Sequence, residues 1–185
     1  GPLLPLHTYT VGGDYTNEVL AWIAVLPWPE KAYLLAGREQ TSRAQGDADA
    51  VTALRNILRD YGERFSALEN DTSPRIFLGH CMMRGSRVGI SQPPLVGADY
   101  EIGLDDLALV GADFYGLGHI HYGQEWQFES EIAMAAGAAY PLVGTVTDAG
   151  ARVIYPGSPF RKNFGELEEK SYVLVTFEDR QLVSV

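Results

Sequence analysis

An α/β fold is predicted by three features of the sequence. These are a continuous apolar run over residues 19–26, one amphipathic stripe between Val51 and Leu68, and two short apolar segments that each run into Gly-His. Strand-like and helix-like segments alternating along a chain indicate a sheet connected by helical crossovers. Beyond residue 121 the helical pattern stops and a run of strands closes the sequence. With 185 residues, the span 1–185 is read as a single domain.

In order, Leu3 to Tyr15 carries turn signals at Gly12-Gly13-Asp14 and reads as a hairpin. Val19 to Leu26, bounded by Pro27 and Pro29, has the length and continuity of a strand buried on both faces. Residues 36–50 are polar and read as a loop. Val51, Leu54, Leu58, Tyr61, Phe65 and Leu68 recur at spacings of three and four, which places them on one stripe of a helix. Asp47 or Asp49 is a suitable cap, and the helix is expected to end near Asn70.

Arg75 to His80 follows as a short strand, then a loop with Gly85, Gly89, Pro93 and Pro94. Leu104 to Ala112 suits a short helix stopped by Gly111. Phe114 to His121 is a strand entering a turn with two histidines. Strands are then expected at 131–134, 140–146, 151–155, 172–177 and 182–185.

Composition narrows the function. The net charge of −10 excludes a basic nucleic-acid-coating protein, because phosphate repels a net anion, but it leaves room for a local basic groove. Cys81 is the sole cysteine, so no intramolecular disulfide forms, which suits a reducing cytoplasm. It cannot supply a thiolate zinc site either. No apolar stretch is long enough for a membrane span, so no membrane partner is expected. A phosphate-binding Gly-x-x-x-x-Gly-Lys loop and a Gly-x-Ser-x-Gly elbow are both absent. Cys81 adjoins His80, but a small buried side chain is favoured over a nucleophile.

Among the four histidines, His80, His119 and His121 lie at strand ends beside glycines, and His7 reads as a surface residue. Ligands of α/β sheets bind at the carboxyl ends of strands, and imidazole is a common ligand for divalent metals. A lone histidine there is more often a hydrogen-bonded core residue; three in this context favour a metal site. Arg75, Arg84 and Arg87 stand in a window, residues 74–98, that contains no acidic residue. Arg84, Arg87, Ser158 and Arg161, with neighbouring Lys162, are the candidate phosphate contacts, weighed against ordinary solvated loop positions.

Three stretches together resemble the calcineurin-like metallophosphoesterases. Leu78-Gly79-His80 is similar to their fourth metal motif, and Gly118-His119-Ile120-His121 to their closing Gly-His-x-His motif. Tyr155-Pro156-Gly157-Ser158-Pro159, with Phe164-Gly165-Glu166, is similar to a segment of the SbcD-type DNA repair nucleases, relatives of the Mre-eleven nuclease. Ala24-Val25-Leu26-Pro27-Trp28-Pro29 resembles a strand-to-loop segment of the same group. The resemblance covers roughly residues 19–177.

It implies part of a β-sandwich flanked by helices, and a DNA exonuclease or endonuclease using two divalent cations, usually Mn²⁺. By motif position His80 and His119 would bind one ion and His121 the other. The implied partners are DNA and an SbcC-type ATPase, in the cytoplasm.

The family's Asp-x-His, Gly-Asp and Gly-Asn-His motifs do not occur here in that order. The chain therefore resembles the C-terminal half of the catalytic domain. Three neutral imidazoles without a bridging carboxylate leave the repulsion between two cations uncompensated, so little or no activity is expected of this chain alone. Half a sandwich also leaves an apolar sheet face to be covered, by the N-terminal half or by self-association. Two other readings stay open: a phosphoesterase acting on a nucleotide or other small phosphoester, and a non-catalytic interaction domain with an incomplete metal site.

Overall fold

The computed structural model describes residues 1–9, 15–37, 42–89, 92, 101–128, 150–161, 164–166 and 170–185. It is a mixed α/β structure around a six-stranded sheet. In chain order the elements begin with strands β1 (Leu4–Tyr9) and β2 (Tyr15–Leu26) and helices α1 (Lys31–Leu34) and α2 (Arg43–Ser66). Strands β3 (Arg75–His80), β4 (Met82–Met83) and β5 (Glu101–Ile102) follow, then α3 (Leu104–Leu107) and a tight helical turn over Ala108–Val110. The chain continues through β6 (Phe114–Gly118), β7 (Gln124–Gln127) and β8 (Arg152–Tyr155) to a hairpin of β9 (Thr176–Glu178) and β10 (Gln181–Ser184).

The strand order is β1-β2-β3-β6-β8-β7. Strands β2, β3, β6 and β8 run parallel, and β1 and β7 close the two edges antiparallel. Four neighbouring parallel strands therefore deliver their carboxyl ends to one rim of the sheet. Leu26 pairs with Gly79 and His80 with Gly118, so the loops after β2, β3 and β6 leave side by side.

Helix α2 covers one face. Leu54, Leu58, Tyr61 and Phe65 are buried in a core with Ala24, Leu26, Phe77, Tyr115 and Leu117. Tyr61 meets Phe77 edge-on at 6.4 Å and donates its hydroxyl proton to the Val25 carbonyl, 2.7 Å away. The helix begins earlier than its stripe suggests. Ser42 caps it, its Oγ accepting from the Gln45 amide, and residues 43–50 are helical rather than loop. Asp47 and Asp49 thus lie inside the helix: Asp47 pairs with Lys31, and Asp49 accepts from Gln45. Gly111, with φ of 63°, stops the second helical segment as expected.

Among the described residues the opposite face is only partly covered. Strand side chains alternate between faces, so Ala24, Leu26 and Phe77 point to α2 while Val25 and Leu78 point away. Val25 is 37% exposed and Leu78 41%, which departs from the doubly buried strand expected from the apolar run. Val175 and Phe177 line the cleft of about 570 Å³ along this face. The hairpin that carries Phe177 is tethered by a two-pronged ion pair from Arg180 to Asp113.

The expected strands at 131–134 and 140–146 lie outside the described residues. The expected strand 172–177 is strand only from Thr176. Among the described residues no helix is long and apolar enough to cross a membrane.

Candidate metal and phosphate site at the strand ends

The loops after β2, β3, β6 and β8 bring together most of the residues singled out in the sequence. His80 is the last residue of β3, and His119 follows β6 directly. Their rings lie 5.3 Å apart between centroids, nearly perpendicular at 72°. Gly118 lets the His80 ring lie close against the end of β6: a Cβ there would stand 3.1 Å from His80 Nδ1, a tight contact. His119 adopts φ of 103°, a conformation rare for a residue with a Cβ and one that tends to occur at functional sites. His80, His119 and His121 all line one cavity of about 490 Å³, together with Gln92, Ser158 and Phe160.

Two carboxamides stitch this turn to the loop after β4. Gln92 donates from Nε2 to the His119 carbonyl and accepts at Oε1 from the His121 amide, both at 3.0 Å. Gln124 accepts from the Arg87 amide at 2.9 Å and donates to the Arg87 carbonyl at 3.0 Å. Each side chain thereby stands in for a strand neighbour, satisfying one backbone donor and one acceptor.

The Tyr155-Pro156-Gly157-Ser158 segment docks on the same turn. The Ser158 amide donates to the His121 carbonyl at 3.1 Å. Gly157 has φ of 83°, and a Cβ there would lie 2.9 Å from the His121 carbonyl oxygen. Tyr155 donates its hydroxyl proton to the Cys81 carbonyl and accepts from the Met83 amide, fixing the chain just past His80. The two motifs, distant in sequence, are one structural unit.

The predicted phosphate contacts divide. The side chains of Arg87 and Arg161 are exposed. Arg84 is also exposed but lies 3.9 Å from Asp105, which offsets the acid-free character of its sequence window. Arg75 is buried and donates to the Leu68 carbonyl, so it serves the fold. Ser158 is buried; its Oγ donates to the Phe160 carbonyl and accepts from Lys170, whose ammonium also pairs with buried Glu166 at 2.7 Å. Lys162 lies outside the described residues.

Burial pushes the Cys81 thiol up to about 12, which suits the small core side chain rather than a nucleophile. His7 sits on edge strand β1, its Nδ1 donating to the Glu18 carbonyl. Sequence reasoning missed Gln92, Gln124 and Lys170. A single polar residue in a loop or at a strand end leaves no periodic signal, and its partners lie in segments distant in sequence.

Among the described residues no group of three or more His, Cys, Asp or Glu is arranged to hold a metal ion. The described residues that line the cavity include three imidazoles and no carboxylate to bridge two cations or offset their charge. By themselves these residues do not fit a two-cation centre. Comparison with known protein families and with curated proteins finds no match.

Proposed function

We propose that this chain is the C-terminal half of a calcineurin-like phosphodiesterase, an Mn²⁺-dependent DNA nuclease of the SbcD type. The observation that carries the reading is the convergence of His80, His119 and His121 on one cavity, with the Tyr155–Ser158 segment docked on the His-x-His turn. In this reading the chain supplies imidazole donors, and the carboxylates come from a segment bearing Asp-x-His, Gly-Asp and Gly-Asn-His. In a centre completed by those carboxylates, His80, His119 and His121 would help to hold two divalent cations, which would supply an activated water and charge stabilisation for phosphodiester hydrolysis. The same segment would cover the open apolar face of the sheet. An SbcC-type ATPase is the proposed partner, and the cytoplasm the proposed location.

Among the described residues no group of three or more His, Cys, Asp or Glu is placed to hold a metal ion, which favours one other reading, a non-catalytic interaction domain. The experiment that decides is cleavage of duplex and single-stranded DNA in Mn²⁺. It compares the chain alone with the chain joined to a segment carrying the three further motifs. Cleavage by the joined protein alone supports the nuclease. Robust cleavage by the chain alone overturns the half-site assignment, and no cleavage by either favours the interaction domain. A small phosphodiester run in parallel separates DNA from small-molecule substrates. Replacing Arg87 by alanine is expected to weaken DNA binding more than replacing Arg84, whose charge Asp105 partly offsets.

A further inference from the structure

We infer that Trp28 and Phe160, each bordering the histidine cluster, serve as a stacking platform for unpaired nucleobases. The inference deepens the nuclease reading and rests on it.

Trp28 stands in the loop after β2, between Pro27 and Pro29, which fix the backbone dihedral on either side. Its ring lies 4.5 Å from that of His119, tilted by 31°, and 5.9 Å edge-on from that of His80. The ring is held against the proposed ligands yet the residue remains 38% exposed.

Phe160 is 62% exposed and lines the cavity onto which His80, His119 and His121 open. Its backbone is fixed: Ser158 Oγ donates to the Phe160 carbonyl, and Lys170 donates to Ser158 Oγ. A large aromatic ring left in water gains nothing for the fold, whereas one beside a pocket gains on ligand binding. Arg161 follows directly and its side chain is exposed, which leaves a cation in the same loop for a nucleic-acid phosphate.

The cavity, about 490 Å³, falls in the range of small-ligand sites and admits a nucleotide. Base stacking is tolerant of sequence because every base has a π-face. The platform therefore selects unpaired bases over the paired interior of a duplex, without choosing among the four.

The test is equilibrium binding in EDTA, where cleavage cannot occur, followed by anisotropy of a labelled oligonucleotide and by tryptophan fluorescence. The probes are a ten-residue oligothymidylate and an abasic strand of the same length and charge. The expected result is roughly tenfold or tighter binding of oligothymidylate, with quenching of tryptophan emission. Phe160→Ala and Trp28→Ala should each bring oligothymidylate binding toward the abasic level, while Phe160→Tyr keeps the preference. A thermal melt of each variant checks folding, and exposed Phe160 is expected to leave it unchanged.

Equal affinity for the two strands overturns the platform and leaves the nuclease reading standing on phosphate contacts. Failure to bind either strand overturns the platform and counts against DNA as the substrate. A preference unaffected by both alanine variants also overturns it.

Discussion

Gln92 spans the most strained point of the site with a single carboxamide. It satisfies the His119 carbonyl and the His121 amide, while His119 itself holds φ of 103°. Replacing it by alanine leaves both backbone groups to find other partners, at a cost of about 1–3 kcal/mol per buried unsatisfied group. Chemical denaturation of Gln92→Ala should show a loss of that size. Gln92→Glu should recover only part of it, since a carboxylate accepts from His121 but cannot donate to His119. Equal stability of wild type and Gln92→Ala would remove the clamp from the account. The histidines were legible as a cluster because Gly-His at strand ends is a local pattern. Gln92 was not, because its role depends on a contact 27–29 residues away that no local spacing announces.

At the scale of elements, two tethers hold pieces that the sheet ladder does not. The first is Asp71, in the connection from α2 to β3, which accepts from the Trp22 indole N–H and from the Ser73 amide. Partial burial works against its ionisation, but the hydrogen bonds from Ser73 and Trp22 prevail and hold the carboxyl below its ordinary value of 3.8. A carboxyl lowered on folding stabilises the fold above its unfolded value, and that contribution is lost as pH falls through the folded one. Stability should therefore decline as pH drops below about 4, and Asp71→Asn should flatten that part of the profile. An unchanged acid limb in the variant would assign the decline to other carboxylates. The second tether is Arg180, whose guanidinium grips Asp113 and so pins the β9–β10 hairpin to the start of β6. Arg180→Ala is expected to raise amide exchange across 173–185 while leaving β2, β3 and β6 protected. Exchange rising uniformly over the sheet would mean that the hairpin is integral to the core. The parallel core was readable from apolar runs and the α2 stripe. The first two turns of α2 were not, because their buried face carries only the small residues Gly46 and Ala50, which extend the stripe without a strong apolar signal, so only the Ser42 cap marks the start. Residues 172–177 read as strand, but within the described residues only Thr176–Glu178 finds a partner, in β10.

For the molecule as a whole, the two faces of the sheet are unequal in a way that sets its association. One face is sealed by α2. On the other, Leu20 and Leu78 are each 41% exposed and Val25 37%, on strands central to a parallel sheet. Fully burying such a side chain is worth about 1.5–3 kcal/mol, so each of these has roughly 1 kcal/mol still to gain from a covering layer. Parallel sheets are almost always covered on both sides, and apolar area shared between neighbouring strands makes a contiguous patch rather than scattered exposure. The chain by itself should therefore self-associate, with a gel-filtration volume that shifts with concentration, and should bind an apolar dye. Leu78→Glu places a charge in the middle of that patch without touching the core beneath α2. It is expected to shift the chain toward monomer and reduce dye binding, with little change in melting temperature of the monomeric fraction. In the protein joined to the segment bearing the further metal motifs, the same substitution should instead cost several kcal/mol, because the charge would be buried without a partner. A wild-type chain that runs as a concentration-independent monomer and binds no dye would show that the open face needs no cover. It would also remove the main physical support for the proposal that a further segment completes the sheet.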